Sequence, residues 1–355
     1  MLFCSSIKVI IALTLFHSDT FSSLQPTYFP GFAFSWMCLI SHRLFMPRLL
    51  LAENRAVSLS NHLLSSCVDT MFQGWGALHK HLLSLFKFLG PFFREGDLQI
   101  AERDLYRGVL RILLVLLHDF PDFLSEYYFT LCDTIPPQCI QLRNIVLSAF
   151  PATIILPDPH LPGVDFDTLP EMGPIPPILS DFASLIRSNE LRVQLDQYLL
   201  GRGSPAFLSQ LKDALKNPPN AEPVGEAYNL SLINAVIMLI GVSSVAQAKA
   251  RNGSPLFVAS DPGPVAVQYL VCNLDVEGMR FSLWPTLSTY VVFLGQHSIL
   301  SSIVLHLRYP NAHTHWFCSL ILHLFLEVKD DRFREVVSKV LLERFIVHRP
   351  HPWGA

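Results

Sequence analysis

Residues 308–328 read RYPNAHTHWFCSLILHLFLEV, and residues 340–354 read VLLERFIVHRPHPWG. In each stretch the apolar residues recur every three or four positions, which is the spacing of one face of an α-helix. Pro350 and Pro352 cannot continue the second helix, so it has to end before them. The same spacing recurs along nearly the whole chain, and alternation with a period of two is almost absent. The sequence therefore predicts an all-α fold.

Prolines separate the expected helices and mark where one helix stops and the next folds back. Helices of this length joined by short connectors form antiparallel pairs, which are compatible with a HEAT-like stack, an α-solenoid. The expected helices lie near Phe34–Leu51, His62–Phe93, Ala101–His118, Asp122–Cys132, Cys139–Ala149, Ile178–Ile186, Leu191–Leu200, Pro205–Leu215, Leu230–Ala250, Gly263–Val276, Leu283–Leu294, Ser298–Leu307, His313–Val328 and Asp331–Val347.

One long irregular segment divides the chain. Residues 151–177 contain eight prolines, which restrict the backbone to extended geometry, so we expect a strap across helices or between subdomains. The predicted parts are an N-terminal helical part, residues 1–150, the strap, residues 151–177, and a C-terminal helical part, residues 178–355. Residues 216–226, KNPPNAEPVGE, are expected to form a surface loop.

The apolar composition raises the question of a membrane. Half of the residues are apolar, 15% are charged, and the mean hydropathy is +0.36. A spanning helix needs roughly 20 apolar residues. Ile7–Phe16 is too short, and Leu230–Ala246 contains polar residues such as Asn234 and Ser243. We interpret both as core helices and expect no membrane association.

The N-terminus allows an alternative interpretation. Lys8 precedes the apolar run VIIALTLF and small residues follow, which is the pattern of a secretory signal. Under that alternative the chain is a secreted or membrane-associated helical protein, and Asn229 and Asn252 are glycosylation acceptors. Asn229, however, opens an expected core helix, where a glycan has little room.

Cysteine usage and charge indicate the compartment and the class of partner. The seven cysteines are odd in number, dispersed and embedded in apolar runs, which is typical of free thiols in the cytoplasm or nucleus. The net charge of -3 gives no electrostatic reason to expect direct nucleic-acid binding.

No catalytic, cofactor or metal site is predicted. His313, His315 and Cys318 resemble metal ligands, but no second Cys/His group stands at zinc-site spacing, so a structural role is favoured. His118 and Asp119 are adjacent, so their side chains point about 100° apart on a helix and are not expected to form a catalytic dyad. We expect no cofactor.

Several separate strings resemble one family in the same order. They are residues 24–50, 113–151, 156–159 and 228–241, together with the two C-terminal stretches quoted above, whereas residues 51–96 fit less well. The chain resembles the C-terminal domain of the Not-one scaffold subunit of the Ccr-four/Not messenger-RNA deadenylase complex. The family domain is a stack of helical pairs, and its tail motif leads into further helices. The resemblance therefore implies a fragment truncated after RPHPWG, residues 349–354.

The resemblance also implies a function. The family domain is a non-catalytic scaffold that docks the Not-two and Not-three subunits and so supports mRNA deadenylation, mRNA decay and translational repression. Its expected location is the cytoplasm, including P-bodies, with the nucleus as a second compartment. Exposed aromatic and arginine residues are the usual anchors at such interfaces. The candidate partner-binding residues near the C-terminal end are Trp316, Phe325, Arg332, Arg334, Arg344, Arg349 and Trp353. For each of them, a place in the core or on a solvated face is an alternative that the sequence supports equally.

Overall fold

A computed structural model describes residues 16–51, 65–93, 99–156, 158, 169–218, 227–274 and 294–346. These residues form helices and connecting segments with no β-strand, and the one extended pairing among them is an isolated bridge between Lys216 and Tyr228. The all-α prediction is confirmed. The chain divides into two compact units, Met1–Ala152 and Thr153–Ala355, and the first unit ends beside the predicted boundary at residue 150.

The first unit is built from helices that pack against one another. Residues 16–23 are helical. The helices that follow are α1 Ala33–Ile40, α2 Met46–Leu51, α3 Ser65–Leu89, α4 Ile100–Asp119, α5 Pro121–Thr134 and α6 Ile140–Leu147.

The boundary between α4 and α5 shows how the sequence sets these elements. A capping box opens α4, in which the Gln99 amide donates to Glu102 Oε2 at 2.8 Å. Phe120 alone separates α4 from α5, and Pro121 takes the first position of α5, where its missing N–H is not needed. So short a connection keeps the two helices close together, and they contact each other.

Two tryptophans anchor the core of the first unit. Trp36 is fully buried, and its Nε1 donates to the Phe21 carbonyl at 2.8 Å. Trp75 of α3 packs edge-on against Phe123 of α5, with ring centroids 5.6 Å apart. Each indole thus buries its ring while its N–H keeps a partner, since Trp75 Nε1 donates to the Leu50 carbonyl at 3.2 Å.

A close approach joins α1 to α4. Gly108 of α4 faces Met37 of α1, and a Cβ atom at position 108 would collide with the Met37 side chain, lying 2.7 Å from its sulfur. Met37 is 7% exposed. The absent side chain at Gly108 is therefore what allows the thioether to lie against the backbone of α4.

The helices of the second unit are packed around one long apolar helix, α9. Its helices are α7 Asn189–Leu199, α8 Ala206–Ala214, α9 Leu230–Asn252, α10 Pro262–Asn273, α11 Leu294–Val304, α12 Ala312–Glu327 and α13 Asp331–Glu343. Helix α9 contacts α10, α11 and α12. Its buried residues include consecutive positions from Ala235 to Gly241, so several sides of the helix face other helices.

Helix α9 is also the one described helix that is long and apolar enough to cross a membrane, with a mean hydropathy of 1.8. Just over half of its apolar window, 56%, is buried within the protein. Asn229 caps its start by accepting a hydrogen bond from the Leu232 amide at 3.0 Å. These contacts support its interpretation as a core helix.

The described end of the proline-rich segment packs on α12. Residues Pro170–Met172 form a short 3₁₀ turn, and Met172 is buried. The Pro174 carbonyl accepts a hydrogen bond from the Ala312 amide at 2.9 Å, which satisfies an N–H at the start of α12. Residues 157 and 159–168 of the predicted strap lie outside the described part of the chain.

Two expected helices differ from those observed. Phe34–Leu51 is two helices, α1 and α2, because the chain turns at residues 41–45 and Ser41 Oγ donates to the Met37 carbonyl at 2.7 Å. Residues 178–186 contain only the 3₁₀ turn Ala183–Leu185, supported by Asp181 Oδ1, which accepts from the Ser184 amide at 3.2 Å. Most of the expected helix Leu283–Leu294 lies outside the described residues.

Candidate protein-interaction surfaces

Two of the seven predicted partner-binding residues lie in the core. Trp316 is 2% exposed and packs edge-on against Phe317, with ring centroids 4.9 Å apart. Arg344 is 7% exposed, and its Nη2 donates to the Leu307 carbonyl at 3.1 Å. Burial rules out both as exposed partner-binding residues and selects the core alternative for them. Their contacts hold α12 and the end of α13 in place.

Two of the predicted residues contact each other at the turn between α12 and α13. Phe325 is 37% exposed, and the Arg334 guanidinium lies 5.6 Å from the centre of its ring. Arg334 Nη1 also donates to Asp331 Oδ1 at 3.2 Å. Arg332, the second residue of α13, is exposed. The turn thus presents an aromatic ring with one guanidinium group against it. Arg349 and Trp353 lie outside the described residues.

Sequence reasoning missed the aliphatic part of this surface. Leu322 is 64% exposed and Leu326 71% exposed, and with Phe325 they form one face of α12. Leu342, Phe345 and Ile346 repeat the same spacing at the end of α13 and are also more than half exposed. Exposed apolar stripes of this kind mark protein-binding surfaces more often than isolated apolar residues do. The helical spacing of these residues can be read from the sequence. The spacing alone does not show which side of a helix is covered by other helices.

The histidines near the start of α12 have a structural role. Asn311 Oδ1 accepts hydrogen bonds from the His313 and Thr314 amides, both at 3.0 Å. Burial, helped by the charge of Arg308, lowers the pKa of His313 to about 4. Burial also lowers the pKa of His306 well below its ordinary value. These imidazoles are therefore neutral at pH 7 and belong to the packed base of the helix.

Cys318 is not a reactive thiol, because burial raises its pKa to about 11. Within the described residues, no group of three or more His, Cys, Asp or Glu side chains is placed to hold a metal ion.

His118 and Asp119 do contact each other. His118 Nδ1 and Asp119 Oδ1 are 2.6 Å apart, so these adjacent side chains do form a hydrogen bond. The pair lies at the end of α4, where the His118 side chain is 87% exposed and the Asp119 side chain 51%. The helix ends there, which frees the two side chains to turn toward each other. An exposed pair of this kind lacks the enclosed site that a catalytic dyad needs.

Comparison with known proteins gives one consistent result. The family model described as "CCR4-Not complex component, Not1" matches residues 6–355. The Caenorhabditis elegans protein "CCR4-NOT transcription complex subunit let-711" is 38% identical over 339 residues, which cover 95% of this chain and 12% of that protein. The chain thus spans about an eighth of the length of this relative.

Solved structures share the fold. The NOT1 superfamily homology domain of Chaetomium thermophilum superposes with a TM-score of 0.76 at 28% identity, covering 98% of this chain and 62% of that one. A structure titled "Not1 C-terminal domain in complex with Not4" superposes with a TM-score of 0.75 at 26% identity, covering 99% and 64% respectively. The chain belongs to the family of the CCR4-Not complex component Not1.

Proposed function

We propose that this chain is a non-catalytic scaffold module of the CCR4-NOT complex, which holds partner subunits and so supports mRNA deadenylation, mRNA decay and translational repression. The observation that carries the proposal is the match of the Not1 family model to residues 6–355. A stack of helical pairs suits this role, because its many exposed faces can each hold a partner without a catalytic pocket.

The proposed partners are the Not2 and Not3 subunits, and Not4. Support for a Not4-type partner comes from a solved relative titled as a complex with Not4, although this chain covers only 64% of that one. Three residues at the α12–α13 turn are the proposed contacts in the second unit. They are the exposed Phe325 and Arg332 and the half-buried Arg334. We propose the cytoplasm, including P-bodies, and also the nucleus as the location of the complex.

Co-purification tests this proposal. The chain would be tagged, expressed in cells and probed for Not2, Not3 and Not4, beside a longer version that has the full length of the solved family domains. We expect both versions to recover the partners. Recovery by the longer version alone would place the docking surface outside these 355 residues and overturn the docking role of this chain.

Two surface variants locate the contact. Phe325→Ala with Arg332→Glu changes the α12–α13 turn, and we expect partner recovery to fall about tenfold. Arg192→Glu changes one exposed arginine of α7 and is the control that should leave recovery unchanged. If the unchanged chain, the double variant and the control variant recover the partners equally, Phe325 and Arg332 are not part of the interface.

A further inference from the structure

Two serines of the second unit precede a proline in nearly the same sequence. Residues 203–207 read GSPAF and residues 253–257 read GSPLF, and the chain has no other Ser-Pro pair and no Thr-Pro pair. A hydroxyl followed by proline is the pattern that proline-directed protein kinases modify, because their active sites accept a residue without an N–H directly after the serine. This pattern does not distinguish the two serines, but their surroundings in the structure do.

Ser204 lies in the connection between α7 and α8, where it is exposed. Pro205 and Ala206, which follow it, are exposed as well. Ser204 Oγ accepts a hydrogen bond from the Ala206 amide at 3.3 Å, and in this bond the hydroxyl keeps its own proton. An enzyme can therefore reach the hydroxyl and the proline ring together.

Two glycines turn the chain between α7 and this serine. Gly201 ends α7 in the left-handed region, with a φ of 73°. Gly203 lies against the end of α7, so that a Cβ atom at position 203 would be 2.6 Å from the Tyr198 Cα. The close contact with α7 is thus made by Gly203, whereas Ser204 and Pro205 stay exposed.

Ser254 is exposed too, but the proline that follows it is not. Pro255 is buried. The loop of residues 252–260 is also closed at its ends, because the Arg251 guanidinium donates to both carboxylate oxygens of Asp261, with Nη1 3.2 Å from Oδ1. A kinase could take the Pro255 ring into its own pocket only after this loop had opened. Ser254 is therefore an internal comparison that has the same motif but an inaccessible proline.

The start of α8 can accommodate a phosphate on Ser204. The Ala206 amide already donates toward this side chain, and the N-terminus of a helix has a partial positive charge. The first turn of α8 contains no acidic residue, and the exposed Arg202 adds positive charge two residues before the serine. A phosphate with a charge of about −2 would therefore meet donors and a cation rather than carboxylates.

We propose that Ser204 is a phosphorylation site for a proline-directed serine/threonine kinase and that Ser254, in the folded protein, is not. In this reaction Ser204 Oγ forms a bond to the γ-phosphorus of ATP, and the bond from that phosphorus to the bridging oxygen breaks to release ADP. The hydroxyl proton passes to the carboxylate base of the kinase. The proposal does not depend on the partner subunits proposed above.

The test uses the full chain, ATP with magnesium, and a purified cyclin-dependent kinase, which is proline-directed. Mass spectrometry of proteolytic peptides measures the phosphate on each serine over time. We expect Ser204 to be modified at least about tenfold faster than Ser254, because the loop that holds Pro255 has to open first.

Two variants check the assignment. Ser204→Ala should remove the fast phase of phosphate incorporation, and Pro205→Ala should slow modification of Ser204 about tenfold. Both positions are exposed, so circular dichroism should show unchanged helix content. Modification of Ser204 in Pro205→Ala at the rate of the unchanged protein would exclude a proline-directed site.

Synthetic peptides separate the effect of the motif from the effect of the fold. Peptides of residues 198–210 and 248–260 contain the two motifs without the surrounding structure. The ratio of the Ser204 rate to the Ser254 rate should fall from about ten in the folded chain to about one in the peptides, because Pro255 is then accessible.

Three further results would overturn the proposal. The first is no phosphate on Ser204 in the folded chain, and the second is modification of Ser204 and Ser254 at equal rates in the folded chain. The third is the same preference for Ser204 in the peptides as in the folded chain, which would assign the preference to local sequence and not to the burial of Pro255.

Discussion

Gly241 of α9 has no side chain where Phe317 of α12 needs space. A Cβ atom at position 241 would overlap the Phe317 ring, lying 2.6 Å from its Cε2 atom. We expect Gly241→Ala to lower the free energy of unfolding by about 1–3 kcal/mol, the usual cost of overfilling a packed core. Chemical denaturation measures the change.

Gly76 of α3 is the matched control for Gly241. No atom lies within 4 Å of a Cβ built there, so Gly76→Ala should raise stability by about 0.5–1 kcal/mol through helix propensity alone. If Gly241→Ala and Gly76→Ala change the free energy of unfolding equally, the lack of space for a Cβ atom at position 241 does not affect stability.

Buried histidines make stability depend on pH. Burial lowers the pKa of His79, His81 and His313 to about 4, and in each case desolvation is the largest cause. The unfolded chain binds protons near pH 6.5, whereas the folded protein binds them only near pH 4. The free energy of unfolding is therefore highest above pH 6.5 and falls as the pH drops toward 4, by on the order of 1–3 kcal/mol for each histidine.

Replacing one of these histidines tests the cause of the pH dependence. His81→Gln can still bond to Ser18 Oγ, which lies 2.9 Å from His81 Nε2, but it does not titrate. Unfolding followed by tryptophan fluorescence between pH 7 and pH 4 should show a shallower decline in this variant. His118→Gln, at an exposed position, is the control. If the stability of His81→Gln falls as steeply with pH as that of the unchanged protein, His81 is not a source of the pH dependence.

At the level of single elements, the cap of α9 gives a clear prediction. Asn229 Oδ1 accepts from the Leu232 amide at 3.0 Å. Asn229→Ala should cost about 1 kcal/mol, whereas Asn229→Asp keeps an acceptor at the cap and should cost only a few tenths. Thermal unfolding of the two variants measures the difference. Losses of equal size would mean that the cap contributes little to α9.

Helices with clear ends could be predicted from the sequence to within one or two residues. The expected Ala101–His118 compares with α4, Ile100–Asp119, because Pro121 stops it and Glu102 marks its first turn. The break between α1 and α2 was missed, since apolar spacing continues through it. Pro47 was the available signal, because proline fits only near the start of a helix, and it occupies the second position of α2.

The candidate surfaces were harder to predict than the helices. Trp316 and Arg344 are the residue types that anchor interfaces, yet both are buried. Periodicity identifies the stripe of a helix that is apolar, but a helix such as α12 is apolar on more than one side. The side of α12 that is buried is the one that α9, α11 and α13 cover. The positions of these helices are set by tertiary packing, which cannot be read from a single sequence.

At the scale of the whole molecule, exposed leucines should control self-association. Leu326 is 71% exposed and Leu342 65% exposed. Replacing both with glutamate should change the free energy of unfolding by no more than about 0.5 kcal/mol, because neither is in the core. It should also reduce light scattering at high protein concentration, because exposed apolar patches promote association.

Leu324, two residues from Leu326, is the control for this prediction. It is fully buried, so Leu324→Glu should lower Tm strongly and increase scattering, because it places a charge in the core. If the exposed double variant scatters as much light as the unchanged protein, the stripes on α12 and α13 do not drive association.

The close approach of Met37 to Gly108 also makes the first unit sensitive to oxidants. The Met37 sulfur lies so near the α4 backbone that a Cβ atom at position 108 does not fit. A methionine sulfoxide has an added oxygen on that same sulfur and is polar as well as larger. Peroxide that reached Met37 would put the added oxygen where α1 contacts α4, so the Met37 side chain would have to leave its place against Gly108. Methionine sulfoxide reductase would restore the contact.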